Sequence, residues 1–126
     1  MGTRFIATAE AHGHDNYKQR IAAIDEEGTV VTRAVSGKPN RQIRNAFTRE
    51  WEGRLAEIEP FPIQYERVGK PASIRAREQG DVEHRSAAAG QSAGLVRDVR
   101  PAGQVMASIV EEAEAILRRL GARGEA

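Results

Sequence analysis

The opening heptapeptide, Met1-Gly2-Thr3-Arg4-Phe5-Ile6-Ala7, constrains this chain more than any other stretch. It reads as the end of a buried strand, Gly2–Ala7, that runs directly into a turn opening a helix. Gly2 and Thr3 are small enough for a backbone to come close to a ligand. A turn of this kind presents N–H groups without partners, and a helix N-terminus favours an anion such as a phosphate. A parallel strand also needs neighbours on both sides, so the stretch demands more sheet than it supplies itself.

The remaining sequence offers mainly helices. Tyr17, Ile21 and Ile24 fall on one stripe of a helix predicted from Asp15 to about residue 26, after a short helical turn over residues 8–13. The β-branched run 29–35 predicts a strand. Ile43, Phe47, Trp51, Leu55 and Ile58 recur at helical spacing, which predicts one long helix over 39–58 with Pro39 in its first turn. Pro60 and Pro62 stop that helix and force extended backbone to Tyr65, and 66–71 reads as a loop. A short helix over 71–79 closes at Gly80. The clearest helix runs from Pro101 to Leu120 on a stripe that includes Val105, Ile109, Ile116 and Leu117, with Gly121 as its cap and 122–126 fraying.

Composition sets the limits. The 126 residues suit one domain, and 19 basic residues against 18 acidic ones give no general pull toward nucleic acid or anionic lipid. Aromatic residues are only 5%, so the core is built from small aliphatic side chains and isolated stability is expected to be marginal. The absence of Cys excludes disulfides and thiolate metal sites. No apolar run approaches the roughly 20 residues that span a bilayer, so a cytoplasmic protein is expected.

Four clusters merit attention as sites. His12, His14 and Asp15 are close in sequence, but their spacing suits a helix entry better than a metal, and no metal site is expected. Over residues 33–54, Arg33, Lys38, Arg41, Arg44, Arg49 and Arg54 outnumber Glu50 and Glu52 and form a basic face, the last four on the predicted 39–58 helix, which suits solvent or phosphates. From Ser86 to Gly94 every residue except Gln91 is small, so this stretch either packs against another backbone or lies beside a ligand. No nucleophile–base set is visible, and the residues alone do not specify a reaction.

Several segments taken together carry a family resemblance. Met1-Gly2-Thr3-Arg4-Phe5, His14-Asp15-Asn16-Tyr17-Lys18, Thr32-Arg33-Ala34-Val35-Ser36-Gly37-Lys38-Pro39, Arg44-Asn45 and Ala89-Gly90-Gln91-Ser92-Ala93-Gly94-Leu95-Val96 occur in that order. The set resembles the C-terminal part of the nitronate monooxygenases, also called 2-nitropropane dioxygenases. The flavin-dependent enoyl-acyl-carrier-protein reductases are similar. The resemblance implies an α/β fold: the C-terminal part of a TIM-type (β/α)8 barrel, mostly helical in this segment, binding FMN and a small-molecule substrate. Residues 1–28 would hold the end of the last strand, the phosphate turn and its helix; 29–94 would form a helical substrate-side insertion; 95–126 would close the barrel.

By the same resemblance the backbone of Met1, Gly2 and Thr3, with the Thr3 hydroxyl, would hold the FMN phosphate, and Gly90 and Gln91 would lie toward the substrate. The earlier strands, the other flavin contacts and a histidine base would lie upstream, leaving no catalytic residue here. Met1 would then be an internal codon, and the segment inactive alone. Asp15 stands where the family often has Pro, and Ala87 and Ala88 where it often has larger residues. The rival class is a small helical binding module without enzymatic activity, supported by the basic 39–58 stretch.

Overall fold

The computed structural model describes the backbone of residues 1–124 and the side chains through Gly121. The segment is mostly helical, as expected, with one small antiparallel sheet. Its elements are α1 (Gly2–Ile6), α2 (Asp15–Ala23), β1 (Thr29–Thr32), β2 (Asn40–Ile43), α3 (Ala46–Glu52), a 3-10 turn (Leu55–Glu57), a π-helical turn (Tyr65–Gly69), α4 (Lys70–Gln79), a second 3-10 turn (Gln91–Leu95) and α5 (Ala102–Gly124).

The opening stretch departs from its reading. Gly2–Ile6 is a five-residue helix, not a strand. Thr3 C=O accepts the Ala7 N–H at 3.2 Å. The Arg4 guanidinium donates to Asp98 Oδ1 at 2.9 Å and to the Asp98 carbonyl at 2.9 Å. A short apolar run such as Phe5-Ile6-Ala7 suits either element, and here long-range ties decide. Residues 8–13 form turns and a single parallel bridge from Thr8 to Arg100 rather than a helical turn.

Helix α2 starts at Asp15 as expected but ends at Ala23, short of about residue 26, with Ile24 already extended. His14 caps it, with Nδ1 accepting the Asn16 N–H at 3.2 Å. Ile21 and Ile24 enter a first core with Ala7, Ile43, Ala87, Ala89, Ala93 and Val96. The small-residue stretch therefore builds this core. Gly94 lies so close to the chain at Asp25 that an added Cβ would stand 2.5 Å from that residue's carbonyl carbon. The close-packing reading of 86–94 holds for this part of it.

The single helix expected over 39–58 is two elements. Asn40–Ile43 pairs antiparallel with β1, Thr29 opposite Ile43 and Thr32 opposite Asn40. The helix starts only at Ala46, behind a capping box in which Asn45 Oδ1 accepts the Thr48 N–H and Thr48 Oγ1 accepts the Asn45 N–H. That reciprocal pair satisfies two end groups of the helix and fixes its start more firmly than Pro39 could. Phe47 and Trp51 then join Ala34, Val35 and Ala72 in a second core. Leu55 is 67% exposed, outside both.

Residues 66–71 are not a loop. The chain is helical through the π turn into α4, and Val68 and Ala72 close the second core. The extended backbone expected to Tyr65 ends earlier, in a turn at Phe61–Pro62. Gly80 ends α4 as expected, in the left-handed region at φ 65°, with the His14 ring where a side chain would stand.

Helix α5 begins where Glu10 Oε2 accepts the Ala102 N–H at 2.8 Å. It runs through the expected cap Gly121 to Gly124. Residues 125–126 of the predicted frayed tail lie outside the described residues. Only Val105 of its apolar stripe is buried, while Met106, Val110, Ile116, Leu117 and Leu120 are exposed.

Candidate functional site

Two stretches singled out from the sequence meet in space. Met1 caps α1 without any side-chain hydrogen bond, and it is largely exposed. The first N–H groups of a helix have no acceptor within the helix, so the Gly2 and Thr3 amides form an uncapped donor set. Gly2 has open space where a Cβ would stand. Thr3 Oγ1 accepts the Gly90 N–H at 2.9 Å. A hydroxyl that accepts there still has its own hydrogen to donate. Backbone and hydroxyl donors at a helix start suit a phosphate. Arg4 adds no charge to this set, because its guanidinium is held by Asp98 and by the Ala7 carbonyl.

Gly90 is held by its neighbours. Segment 87–89 runs beside β2: Ala87 C=O accepts the Ile43 N–H at 2.7 Å, and the Ala89 N–H donates to Arg41 C=O at 3.3 Å. Gly90 follows at once and caps the turn that starts at Gln91. An added Cβ at Gly90 would stand 3.3 Å from Thr3 Oγ1, so a larger residue would press on the Thr3 contact. Gln91 is exposed beside this junction.

The same segment borders a cavity of about 240 Å3 between the start of α2 and α4. Tyr17, Ser86 and Ala88 line it. The Tyr17 hydroxyl donates to the Ala88 carbonyl, and burial pushes the Tyr17 phenol up from its ordinary value. Asn16 Nδ2 donates to the Gly80 carbonyl at 3.0 Å and joins the start of α2 to the end of α4. Sequence reasoning did not place Tyr17 or α4 here, because the cavity arises only where the two helices meet.

The other sequence candidates separate. His14 is a helix cap, and among the described residues no three His, Cys, Asp or Glu side chains could hold a metal ion. The six basic residues do not share one helix face, since Arg41 lies on β2 and bonds to Thr29. Arg44 pairs with Glu52 at 3.0 Å, and Arg54 pairs with Glu50 and Glu57 while lying over the Trp51 ring. The capping role of Asn45 was also missed, although Asn45-x-x-Thr48 is legible as a helix start.

Residues 1–112 match the family model of nitronate monooxygenase. The chain belongs to the nitronate monooxygenase family. The chain is 31% identical over 119 residues to a probable nitronate monooxygenase of Staphylococcus saprophyticus, covering 94% of the chain and 33% of that relative. It is 29% identical over 121 residues to a nitronate monooxygenase of Paraburkholderia phytofirmans, covering 95% of the chain and 32% of the relative. It therefore spans about a third of the length of these curated relatives.

Among solved structures, FabK from Thermotoga maritima is 36% identical with a TM-score of 0.82, covering all of this chain and 39% of that one. The nitroalkane oxidase of Streptomyces ansochromogenes is 28% identical with a TM-score of 0.71, covering 93% of this chain and 33% of that structure. The family resemblance drawn from the five ordered segments is thereby established.

Proposed function

We propose that this chain is the C-terminal part of a TIM-type (β/α)8 oxidoreductase that binds FMN and oxidises alkyl nitronates with O2. The observation that carries the reading is the Thr3–Gly90 contact at the uncapped start of α1. TIM barrels frequently bind phosphate at the N-terminus of a short extra helix near the last strands, and α1 is a helix of that kind. Its helical state thus suits the phosphate better than the expected strand did. The backbone of Met1, Gly2 and Thr3 receives the phosphate, with the Thr3 hydroxyl as a further donor. Gly90 and Gln91 face the substrate side, residues 29–94 cover that side, and α5 packs against the barrel. Bound FMN supplies the redox chemistry of nitronate oxidation. The proton-accepting base and most of the flavin cradle belong to the preceding part of the enzyme, so this segment alone turns over no substrate.

A second reading, an NAD(P)H-dependent flavin enoyl-thioester reductase, draws support from the likeness to FabK. Turnover of nitronate against enoyl thioester by the enzyme including its upstream barrel separates the two.

The phosphate assignment is tested on the 126-residue chain by titration with FMN and with riboflavin, following flavin fluorescence and melting temperature. Saturable FMN binding with a higher melting temperature, and weaker binding of riboflavin, supports it. A ligand at 100 times its Kd adds about 2.7 kcal/mol to the folded state. Equal binding of the two flavins, or none, removes the phosphate from this turn.

A further inference from the structure

The cavity between α2 and α4 has a lining that the phosphate turn does not use. Its walls include the Tyr17 ring, Val82, Ala87 and Ala88. Its polar side chains include the Arg77 guanidinium, a donor without acceptor capacity, with His12 and the Ser73 and Ser86 hydroxyls, which pair with each other at 2.9 Å. No carboxylate lines it. Lys18 pairs with Asp15, and Arg85 with Asp81. Arg77 forms no ion pair among the described residues. His14 also borders the cavity, but its Nδ1 is committed to the Asn16 N–H.

We infer that this cavity binds a small amphiphilic monoanion, with Arg77 holding a planar two-oxygen head and the Tyr17, Val82 and Ala88 walls covering a short alkyl tail. A guanidinium presents a rigid fork of donors that matches such a head. At about 240 Å3 the space lies below the roughly 300–1,000 Å3 of sites for drug-sized ligands, which favours a short tail over a long acyl chain. Carboxylates and alkyl nitronates share this head. The choice of a nitronate as natural occupant rests on the proposed function; the binding itself does not.

The test uses the isotope-labelled 126-residue chain without flavin, so its outcome and that of the FMN titration are independent. Amide shifts of Gly13, Tyr17 and Ala88 are followed on addition of butyrate, ethyl nitronate and, as a neutral control, butanol. Saturable shifts with the anions and not with butanol are expected, and Arg77→Gln should weaken them roughly ten-fold, the scale of one charge-assisted contact. Tighter binding of the nitronate assigns the site to substrate; tighter or equal binding of butyrate assigns it to carboxylates. Butanol binding as well as the anions, unchanged affinity in Arg77→Gln, or no saturable shift overturns the inference. Should Arg77→Gln lose its dispersed spectrum, Ala76→Leu decides: this cavity-filling change must abolish anion binding, and unchanged binding overturns the inference.

Discussion

Thr3 Oγ1 and the Gly90 N–H lie 2.9 Å apart although 87 positions separate them in sequence. The contact fixes the start of α1 against the end of the small-residue segment. Thr3→Val removes the acceptor and should destabilise the chain by about 1 kcal/mol, while Thr3→Ser should stay within a few tenths. Urea midpoints at constant m-value measure this. FMN affinity should fall in the same order, because only Val lacks a hydroxyl donor. Equal FMN affinity in both variants would remove Thr3 from the phosphate site.

Asn45 is fully buried and satisfies several groups at once. Its Oδ1 caps α3 through Thr48, and its Nδ2 donates to the Val82 carbonyl at 2.7 Å and the Arg85 carbonyl at 2.9 Å. Asn45→Ala leaves both carbonyls unpaired and should cost about 2–4 kcal/mol. Asn45→Asp keeps the cap but loses both donors, so it should also destabilise. Thermal unfolding followed by far-UV circular dichroism checks this; an Asp variant as stable as the parent would show that only the cap matters.

Asp81 sets an acid limb. Its carboxylate lies below the ordinary carboxylate range, first because it accepts the His84 N–H at 2.9 Å, against some desolvation, and then through the charges of His84 and Arg85. A carboxylate depressed in the folded state stabilises above its unfolded pKa and loses that contribution as the pH falls through its folded value. Stability should therefore drop below the ordinary Asp value of about 3.9. Asp81→Asn keeps an acceptor oxygen and should show a shallower drop. Matching acid limbs for parent and variant in urea midpoints taken down to about pH 3 would count against this role.

The exposed stripe of α5 should drive association. Leu117 and Leu120 are 67% and 55% exposed, so changing both to Gln should alter stability by less than about 0.5 kcal/mol. Contiguous apolar patches of this kind promote association, and sedimentation velocity should show less of it in the double variant. A drop in melting temperature without any change in sedimentation would mean that the stripe is buried by the chain itself.

Legibility followed how local each interaction is. Helix α2 was readable because its cap, its first-turn Asp15 and its buried stripe all lie within ten residues. The long helix over 39–58 misled because Ile43 and Phe47 are both buried at helical spacing, one closing a strand and the other opening a helix across Asn45. Periodicity does not detect a cap between them. In α5 the stripe located the helix but not what covers it. The Thr3 and Gly90 positions were each legible through the family resemblance, whereas Arg77 and Ser73 were not, since their place beside Tyr17 depends on how α4 meets α2.

The ties at the two ends of the fold have a further consequence. Arg4 grips Asp98, Thr8 bridges Arg100, and Glu10 caps the helix that starts at Ala102. Everything from Ala11 to Arg97 therefore leaves from and returns to one place, like a drawer in a fixed frame. The entropy of closing such an excursion grows only with the logarithm of its length, about 0.6 kcal/mol for each doubling. Residues can accordingly be inserted into or removed from the turns of this excursion while the frame that holds it stays in register.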